Sequence, residues 1–327
     1  MTVQLDRNMA MEVVRITESA ALSAARFMGG GDKKKLDLAA VEAMRKTLST
    51  IRMDGIVVIG EGEKDEAPML YIGERVGDGH APEMDIAVDP VDGTTLASKG
   101  LPGAISCIAL SPRGTMTCPR QIAYMNKIAV GKEAREVIDI EASVKENLQN
   151  IAKAKRCQVA DLTVIVLDRP RHEQLLKDIR AAGARVKLIS DGDVAAGISA
   201  AMPGSGVDVL MGIGGTPEAV LAAAAITCLG GAIHAKAWPR NDAEKTAAKA
   251  ANLDLSRIYR TDDMVAGDDV FFAATGVTDG EMVKGVRYFG GGAVTHSVVM
   301  RSRSGTIRWI EARHNLDRLN KITALPL

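Results

Sequence analysis

Apolar residues near the start of the chain recur at steps of three and four, which is the pattern of one face of an amphipathic helix. The positions on this face are Met9, Val13, Ile16, Ala20, Ala24 and Phe27. Three glycines at residues 29–31 end the pattern. A second helix is predicted over about residues 38–51, with its apolar face at Val41, Met44, Leu48 and Ile51. The chain therefore begins with two packed helices, which we expect in the core or at an oligomer interface.

Short β-branched runs then replace the helical period and predict buried strands at residues 55–60, 85–89 and 104–110. From about residue 160, strands at 163–167, 185–189 and 207–211 alternate with helices at 171–182, from Asp193 and from near Thr216. This alternation predicts βα units and a largely parallel sheet. Short strands return at 270–274, 294–300 and 306–311. The change of pattern predicts an N-terminal α+β half, residues 1–150, and a C-terminal α/β half, residues 151–327.

Composition narrows the class of protein. The 327 residues include 41 basic and 41 acidic side chains, and this zero net charge gives no sign of a nucleic-acid partner. The apolar run at 219–233 is too short for a membrane span and predicts a buried helix leading into a strand. Four widely spaced cysteines and the lack of a signal-peptide pattern predict a reduced, cytoplasmic protein. The basic run at residues 33–35 predicts a solvated loop, with a phosphate contact as the alternative.

Acidic residues cluster where predicted strands give way to glycine. They are Glu61, Glu63, Asp89, Asp92, Asp191, Asp193 and Glu218. Ligands bind at the carboxyl ends of strands in open α/β sheets, and converging carboxylates favour a hard cation such as Mg²⁺ or Mn²⁺. Taken singly, each acid is more simply explained as a turn or helix cap.

The segment Asp89-Pro90-Val91-Asp92-Gly93-Thr94 changes this balance. Pro90 predicts that the strand stops with Asp89 at its end, and Gly93 permits a tight turn. Thr94 then begins a helix, whose first amides favour an anion. Two carboxylates, a turn and an anion site within six residues are suited to metal-assisted phosphoryl transfer. Neither the glycines at 29–31 nor those at 212–215 complete a Walker or dinucleotide-binding motif, and the five histidines predict surface or core roles.

The same segment resembles the D-P-[IVL]-D-G-[ST] signature of the lithium-sensitive, inositol-monophosphatase-like phosphatases. Longer stretches resemble the class II fructose-1,6-bisphosphatases of bacteria across almost the whole chain. They include Gly60-Glu61-Gly62-Glu63, Asp65-Glu66-Ala67-Pro68-Met69-Leu70, Tyr124-Met125-Asn126-Lys127, Asp168-Arg169-Pro170-Arg171-His172 and Gly212-Ile213-Gly214-Gly215-Thr216-Pro217-Glu218. Unlike the inositol phosphatases, the chain has Pro239-Arg240 after Trp238 in place of a metal-binding aspartate.

The resemblance implies a layered α/β/α/β/α sandwich and hydrolysis of the 1-phosphate of fructose 1,6-bisphosphate, a step of gluconeogenesis. It implies two or more Mn²⁺ or Mg²⁺ ions per site, held by Asp37, Glu61, Asp89, Asp92 and Glu218. Thr94, with Glu61 and Asp37, would form the catalytic group. The implied sugar-bisphosphate contacts are Asp92, Gly93, Thr94, Tyr124, Arg169, Pro170, Arg171, Asp191, Gly192, Asp193 and Gly215. Without the resemblance, Arg169 and Arg171 are better explained as surface partners of acidic neighbours.

Three alternatives stay open at this level. The chain could act on sedoheptulose 1,7-bisphosphate or on both ketose bisphosphates, which the sequence does not separate. A catalytically silent sugar-phosphate sensor would have lost a metal ligand or Thr94, and every such position is filled. A structural Ca²⁺ protein would bind without releasing phosphate. We also expect a homo-oligomer, either a dimer or a tetramer.

Overall fold

The computed structural model describes residues 8–61, 70–119 and 121–323, without the side chains of 322 and 323. The described residues form ten α-helices: α1 Ala10–Ala25, α2 Lys33–Leu48, α3 Thr94–Lys99, α4 Val144–Lys155, α5 Glu173–Ala181, α6 Asp193–Ala201, α7 Thr216–Leu229, α8 Asp242–Ala250, α9 Thr261–Met264 and α10 Leu316–Thr323. Short 3₁₀ turns lie at Lys132–Ala134, Val159–Asp161 and Pro170–His172. No helix in these three ranges has both the length and the apolar character that crossing a bilayer requires.

The same ranges contain fourteen strands: β1 Asp54–Ile59, β2 Arg75–Val76, β3 Glu83–Asp92, β4 Ile105–Pro112, β5 Tyr124–Val130, β6 Thr163–Leu167, β7 Arg185–Ile189, β8 Val209–Gly215, β9 Ala232–Ala237, β10 Ile258–Arg260, β11 Phe271–Gly276, β12 Arg287–Phe289, β13 Gly292–Arg301 and β14 Thr306–Asn315. The first sheet has the order β12-β13-β11-β4-β3-β1-β2, and β14 pairs with β13. The second has the order β10-β9-β5-β8-β6-β7.

Three apolar cores hold five layers together. The first lies between the helices α1 and α2 and the first sheet, the second surrounds α6 and α7 between the two sheets, and the third lies under α4 and α5 on the second sheet. The fold is therefore the predicted α/β/α/β/α sandwich. Helix α7 is apolar on nearly every side because it is enclosed between two sheets. Helix α1 is almost wholly buried, so it belongs to the core of this chain.

Several sequence predictions need correction. The C-terminal sheet is mixed, because β6 pairs in parallel with β7 and β8 while β5, β8, β9 and β10 pair antiparallel. Strand β5 was not predicted as a strand at all. Strand β8 extends through its glycines to Gly215, and the predicted turn there is strand. Helix α2 starts at Lys33, because the Asp32 side chain accepts a hydrogen bond from the Lys35 amide and caps it. Residues 33–35 are thus helical and do not form a loop.

The two sheets do not divide at residue 150. Strand β5 lies before this position in the second sheet, whereas strands β11 to β14 lie after it in the first. The chain therefore crosses between the layers more than once. Whether two folding units meet near residue 150 stays a prediction.

Candidate active site

Strand β3 carries the first two acids of the site. It continues to Asp92, and its pairing with β4 shifts register between Asp89 and Asp92. The prediction that the strand stops at Asp89 is therefore wrong: Pro90 is accommodated in an irregularity of the ladder. The Asp89 Oδ1 atom accepts a hydrogen bond of 3.0 Å from the Val91 amide across this irregularity. Both carboxylates are thereby presented at one end of the strand.

Gly93 and Thr94 make the turn that follows. Gly93 is left-handed at φ 88°, which disfavours any side chain there, and Thr94 is the first residue of α3 as predicted. The Thr94 hydroxyl donates to the Val91 carbonyl at 3.0 Å. Its proton is therefore committed, and the oxygen is left to accept a hydrogen bond from another molecule. Lys33 Nζ donates to the neighbouring Thr95 hydroxyl at 2.8 Å, which brings α2 to the same corner.

Two reciprocal helix caps join the sheets at this point. Asp92 Oδ2, from the first sheet, accepts from the Ala195 amide in the first turn of α6 at 3.0 Å. Asp191 Oδ2, from the second sheet, accepts from the Thr95 amide in the first turn of α3 at 3.2 Å. Each acid thus caps a helix that follows a strand of the other sheet. Gly192 lies between them at φ 92°, with its position for a Cβ 3.8 Å from Asp92 Oδ2.

Glycines of β8 let two further carboxylates lie against the backbone. A Cβ on Gly214 would lie 1.9 Å from Asp193 Oδ2, and one on Gly215 would lie 1.8 Å from Glu218 Oε2. Buried Asp193 forms an ion pair with buried Lys127 of β5. Glu218 Oε2 is buried and has no hydrogen-bond partner among the described residues. A side chain at either glycine would displace a carboxylate. Glycine at positions 214 and 215 therefore leaves the space that Asp193 and Glu218 occupy.

The acids of the site repel one another. Burial, followed by the charges of Asp37 and Glu218, raises the pKa of Glu61 to about 7. Burial, followed by the charges of Asp92 and Glu61, raises the pKa of Asp89 well above its usual range. Burial raises the pKa of Asp92 to about 8, and burial also raises the pKa of Asp37 and of Glu218. Asp37, which lies in α2, and Glu61, which follows β1, are thus brought to the acids of β3 and α7.

This donor set fits divalent cations. Five oxygen ligands that repel each other, one of them with an unpaired buried oxygen, are what Mg²⁺ or Mn²⁺ would neutralise. Within the described part of the chain, no three His, Cys, Asp or Glu side chains already stand close enough together to hold an ion. Glu63 lies outside the described residues.

An arginine and tyrosine cluster lies beside the acids on the second sheet. Arg171 donates through Nε and Nη2 to the Ile213 carbonyl at 3.2 and 2.7 Å, and its guanidinium carbon is 5.2 Å from the Tyr124 ring centroid. Burial lowers the pKa of Arg171. Arg169 Nη2 lies 4.0 Å from Asp191 Oδ1, and Pro170 begins the 3₁₀ turn between the two arginines. Arg169 thus has the acidic partner expected without the resemblance, whereas Arg171 binds a neutral carbonyl.

Most of the residues predicted from the sequence lie together in the structure. The acids at positions 61, 89, 92, 191, 193 and 218 converge, and the arginines and Tyr124 lie next to them. Sequence reasoning gave no role to Lys127, His172 or Arg240. A lysine inside the apolar strand β5 was the available signal, because a buried lysine requires a partner.

A cavity of about 510 Å³ adjoins the turn that contains Asp191 and Gly192. It shares only Asp191 and Gly192 with the predicted site, and its walls are mostly apolar, including Leu96, Ile165 and Met282. Asp191 is the one acid of the predicted site that lines it. We therefore assign cation binding to the carboxylate cluster and not to this mostly apolar cavity.

Comparison with known proteins identifies the family. The family described as bacterial fructose-1,6-bisphosphatase, glpX-encoded, matches residues 7–314. A protein of Synechococcus sp. (strain JA-3-3Ab), named D-fructose 1,6-bisphosphatase class 2/sedoheptulose 1,7-bisphosphatase, is 42% identical over 338 aligned positions that cover 96% of this chain and 97% of its own. Its namesake from Synechococcus elongatus (strain ATCC 33912 / PCC 7942 / FACHB-805) is 40% identical, with 98% and 99% covered. The resemblance in the sequence is thereby confirmed: this chain belongs to the class II, glpX-encoded bacterial fructose-1,6-bisphosphatase family.

Proposed function

We propose that this chain is a metal-dependent phosphatase that converts fructose 1,6-bisphosphate to fructose 6-phosphate and phosphate. The observation that carries the proposal is that a group of acidic side chains, suited to cations, lies next to a group of arginines, suited to a phosphate. Mutually repelling carboxylates lie on one side, and Arg171 with Tyr124 lies on the other. The family match supports the reaction class and the bisphosphate substrate.

Asp37, Glu61, Asp89, Asp92 and Glu218 would hold two or more Mn²⁺ or Mg²⁺ ions. When bound, these cations supply positive charge against the phosphoryl oxygens that carry the charge of the transition state. The backbone amide of Val91 and that of Ala195 fix the Asp89 and Asp92 carboxylates in advance. The protein therefore has less reorganisation to perform when substrate binds.

Thr94 would orient the attacking water. Because its proton is donated to the Val91 carbonyl, the hydroxyl oxygen can accept a hydrogen bond from a water molecule. That hydrogen bond would orient a lone pair of the water towards phosphorus. Glu61 and Asp37 would receive the proton that this water loses. Phosphate-monoester hydrolysis is among the slowest uncatalysed reactions, so such positioning has a large effect to supply.

The second sheet would bind the remainder of the substrate. Two N–H groups of Arg171 are occupied by Ile213, and the other groups of its planar fork can bind the 6-phosphate together with Arg169 and Tyr124. Asp191 and Asp193 would accept hydrogen bonds from sugar hydroxyls, next to Pro170, Gly192 and Gly215. A sedoheptulose 1,7-bisphosphatase activity is the second candidate, because the matched relatives carry both activities in their names.

A phosphate-release panel tests this function. We expect release from fructose 1,6-bisphosphate with Mn²⁺ or Mg²⁺, loss of release with a chelator, and little release from inositol 1-phosphate or adenosine 3′,5′-bisphosphate. Sedoheptulose 1,7-bisphosphate in the same panel decides between one substrate and two. Binding of fructose 1,6-bisphosphate without any phosphate release would overturn the proposal in favour of a sensor.

A homo-oligomer, dimer or tetramer, is part of the proposal. Trp309 on β14 is 60% accessible, and an oligomer contact on this strand would cover it. Sedimentation velocity of the purified chain measures the state directly. A monomer at micromolar concentration would contradict the expectation.

A further inference from the structure

A further arginine, Arg240, approaches Tyr124 from the chain that follows β9. Tyr124 is the first residue of β5, and the chain leaving β9 passes beside it: the Trp238 amide donates to the Tyr124 carbonyl at 2.9 Å. The Trp238 ring meets the Tyr124 ring edge-on, with centroids 6.5 Å apart. Two residues later, Arg240 reaches the same ring, with its guanidinium carbon 5.4 Å from the centroid.

Arg240 is fixed by the N-terminus of α8. Asn241 caps this helix by accepting from the Glu244 amide at 2.9 Å, and Glu244 in turn accepts from the Arg240 amide at 2.8 Å and from Arg240 Nε at 2.6 Å. Glu244 also pairs with Arg240 Nη2. The arrangement differs from a capping box in that Glu244 reaches the amide of the residue before the N-cap and also the side chain of that residue. The arginine is therefore held in place before any ligand arrives.

Two guanidinium groups, those of Arg171 and Arg240, consequently gather at one tyrosine ring. Among the described residues, no carboxylate lies within ion-pair distance of Arg171, and Glu244 is the carboxylate that pairs with Arg240. With Arg169 and its neighbour Asp191, three guanidinium groups face two carboxylates. This corner is thus locally positive, whereas the adjacent cluster of five acids is strongly negative. An anion attached to the far end of a substrate would be drawn to the arginines.

We propose that Arg240 is a specificity-determining residue that binds the distal phosphate of the substrate and so favours bisphosphates over monophosphates. The proposal deepens the proposed function and rests on it. Glu244 occupies Nε and Nη2 of Arg240, and the outer N–H groups stay available to a phosphate because the side chain is half exposed. The ring of Tyr124 sets the spacing between this guanidinium and that of Arg171.

The test compares two substrates that differ only in the distal phosphate. For Arg240→Gln, we expect the KM for fructose 1,6-bisphosphate to rise about tenfold or more, which is the effect of losing one hydrogen bond to a charged group. The kcat/KM for fructose 1-phosphate should stay within about twofold of the wild type, because that substrate has nothing for Arg240 to bind. The KM of Arg240→Lys for fructose 1,6-bisphosphate should lie between those of the wild type and Arg240→Gln, because lysine keeps the charge and lacks the planar fork.

Lys245→Gln is the matched control. It removes one positive charge from α8, the helix that Arg240 precedes, where Lys245 pairs with Asp242 at 3.2 Å. It should leave the kinetics of both substrates unchanged. Equal losses for the two substrates in Arg240→Gln would overturn the proposal, and so would an unchanged KM for the bisphosphate. Thermal unfolding of each variant shows whether the fold is intact.

A binding measurement separates this inference from the proposed reaction. The chain has two tryptophans, so Trp309→Phe leaves Trp238, beside Tyr124, as the single reporter. Fructose 6-phosphate titrated without divalent cation should change its fluorescence, and Arg240→Gln in this background should need about tenfold more ligand. If the wild type releases no phosphate from any substrate, the reaction fails as a proposal while this titration still tests Arg240. An unchanged titration in the Arg240→Gln variant would refute the role of Arg240 alone.

Discussion

At the scale of single residues, Asp89 is both a proposed metal ligand and a buried carboxylate whose charge is unfavourable without a cation. Its carboxylate is held by the Val91 amide at 3.0 Å, and burial together with neighbouring acids raises its pKa. We expect Asp89→Asn to fold normally and to lose at least about a hundredfold in kcat, because an amide keeps the shape and removes the charge that attracts a cation. Phosphate release from fructose 1,6-bisphosphate at saturating Mn²⁺ measures the loss.

Asp262→Asn is the control for this substitution. Asp262 is exposed in α9, so the same chemical change there should leave turnover within about twofold. Substantial activity of a folded Asp89→Asn protein at saturating Mn²⁺ would contradict its assignment as a metal ligand.

Most acids of the site could be predicted from the sequence because they lie near the end of a recognisable strand and close to glycine or proline. Asp37 was predicted only from the resemblance, because it lies inside helix α2. Lys127 and Arg240 could not be predicted, since their roles depend on partners far away in the chain. Lys127 forms its ion pair with Asp193, 66 residues later, and Arg240 lies near Tyr124 only because β9 is the neighbour of β5. Such contacts follow from strand order, which local patterns do not contain.

At the scale of elements, a histidine ring bridges β6 and β8 where the two strands no longer pair directly. These strands pair at Val164 with Val209 and at Ile165 with Leu210. Beyond that point the buried His172 ring bridges them: Nδ1 donates to the Leu167 carbonyl at 2.7 Å, and Nε2 accepts from the Ile213 amide at 2.7 Å. Burial lowers the pKa of His172, which favours the neutral ring that these two bonds require. The carbonyl of the same residue, Ile213, accepts from Arg171.

This bridge predicts that His172→Leu and His172→Gln differ. Leucine leaves a buried amide and a buried carbonyl unpaired, so we expect it to lower the free energy of unfolding by about 1–3 kcal/mol. It should also raise the KM for the bisphosphate, since Arg171 loses its fixed support. The amide of glutamine can donate through its nitrogen to the Leu167 carbonyl and accept through its oxygen from the Ile213 amide, so this variant should retain most of the stability. Urea unfolding together with KM values checks the pair, and equal behaviour of the two variants would contradict the bridge.

Elements were predicted best where one local rule dominated. The strands β6 and β7 and the helix α7 lie where apolar runs and flanking glycines put them. Three errors came from interactions outside the local rule. The Asp32 cap extended α2 backwards, an irregular ladder carried β3 past Pro90, and pairing with β5 kept the glycines of β8 extended.

At the scale of the whole molecule, the strand order was not predictable from the alternation of elements. Residues 163–229 read as βα units, and their parallel pairs are present, but β5 and β9 from other parts of the chain complete that sheet antiparallel. Likewise β11 to β14 return to the first sheet. The layered architecture itself came from the resemblance and is confirmed.

The acid cluster also makes the stability of the whole molecule depend on pH and metal. Glu61 and Asp92, with pKa values of about 7 and about 8, bind protons more tightly in the folded chain than in the unfolded chain, where their pKa values are near 4. Such groups contribute stability at low pH that is lost as pH rises from about 4 to about 8, and the last part of this loss falls between pH 7 and pH 9. The histidines at 172, 234 and 314, whose pKa values are lowered, are neutral in both states above pH 7 and add no slope there.

Metal-free protein should therefore have a lower Tm at pH 9 than at pH 7, and millimolar Mn²⁺ should remove most of the difference by neutralising the carboxylates. Glu18 has a pKa of about 7 for a separate reason, its burial beside Thr295, so it adds a slope that Mn²⁺ cannot remove. Glu18→Gln should reduce that residual slope and leave the metal-sensitive part unchanged. Burial also raises the pKa values of Cys157 and Cys228, so these thiols supply a further slope that Mn²⁺ does not remove. Calorimetry of both proteins, with chelator and with Mn²⁺, measures the two parts separately. Equal Tm values at pH 7 and pH 9 in the chelated wild type would show that the acids do not repel one another as the structure indicates.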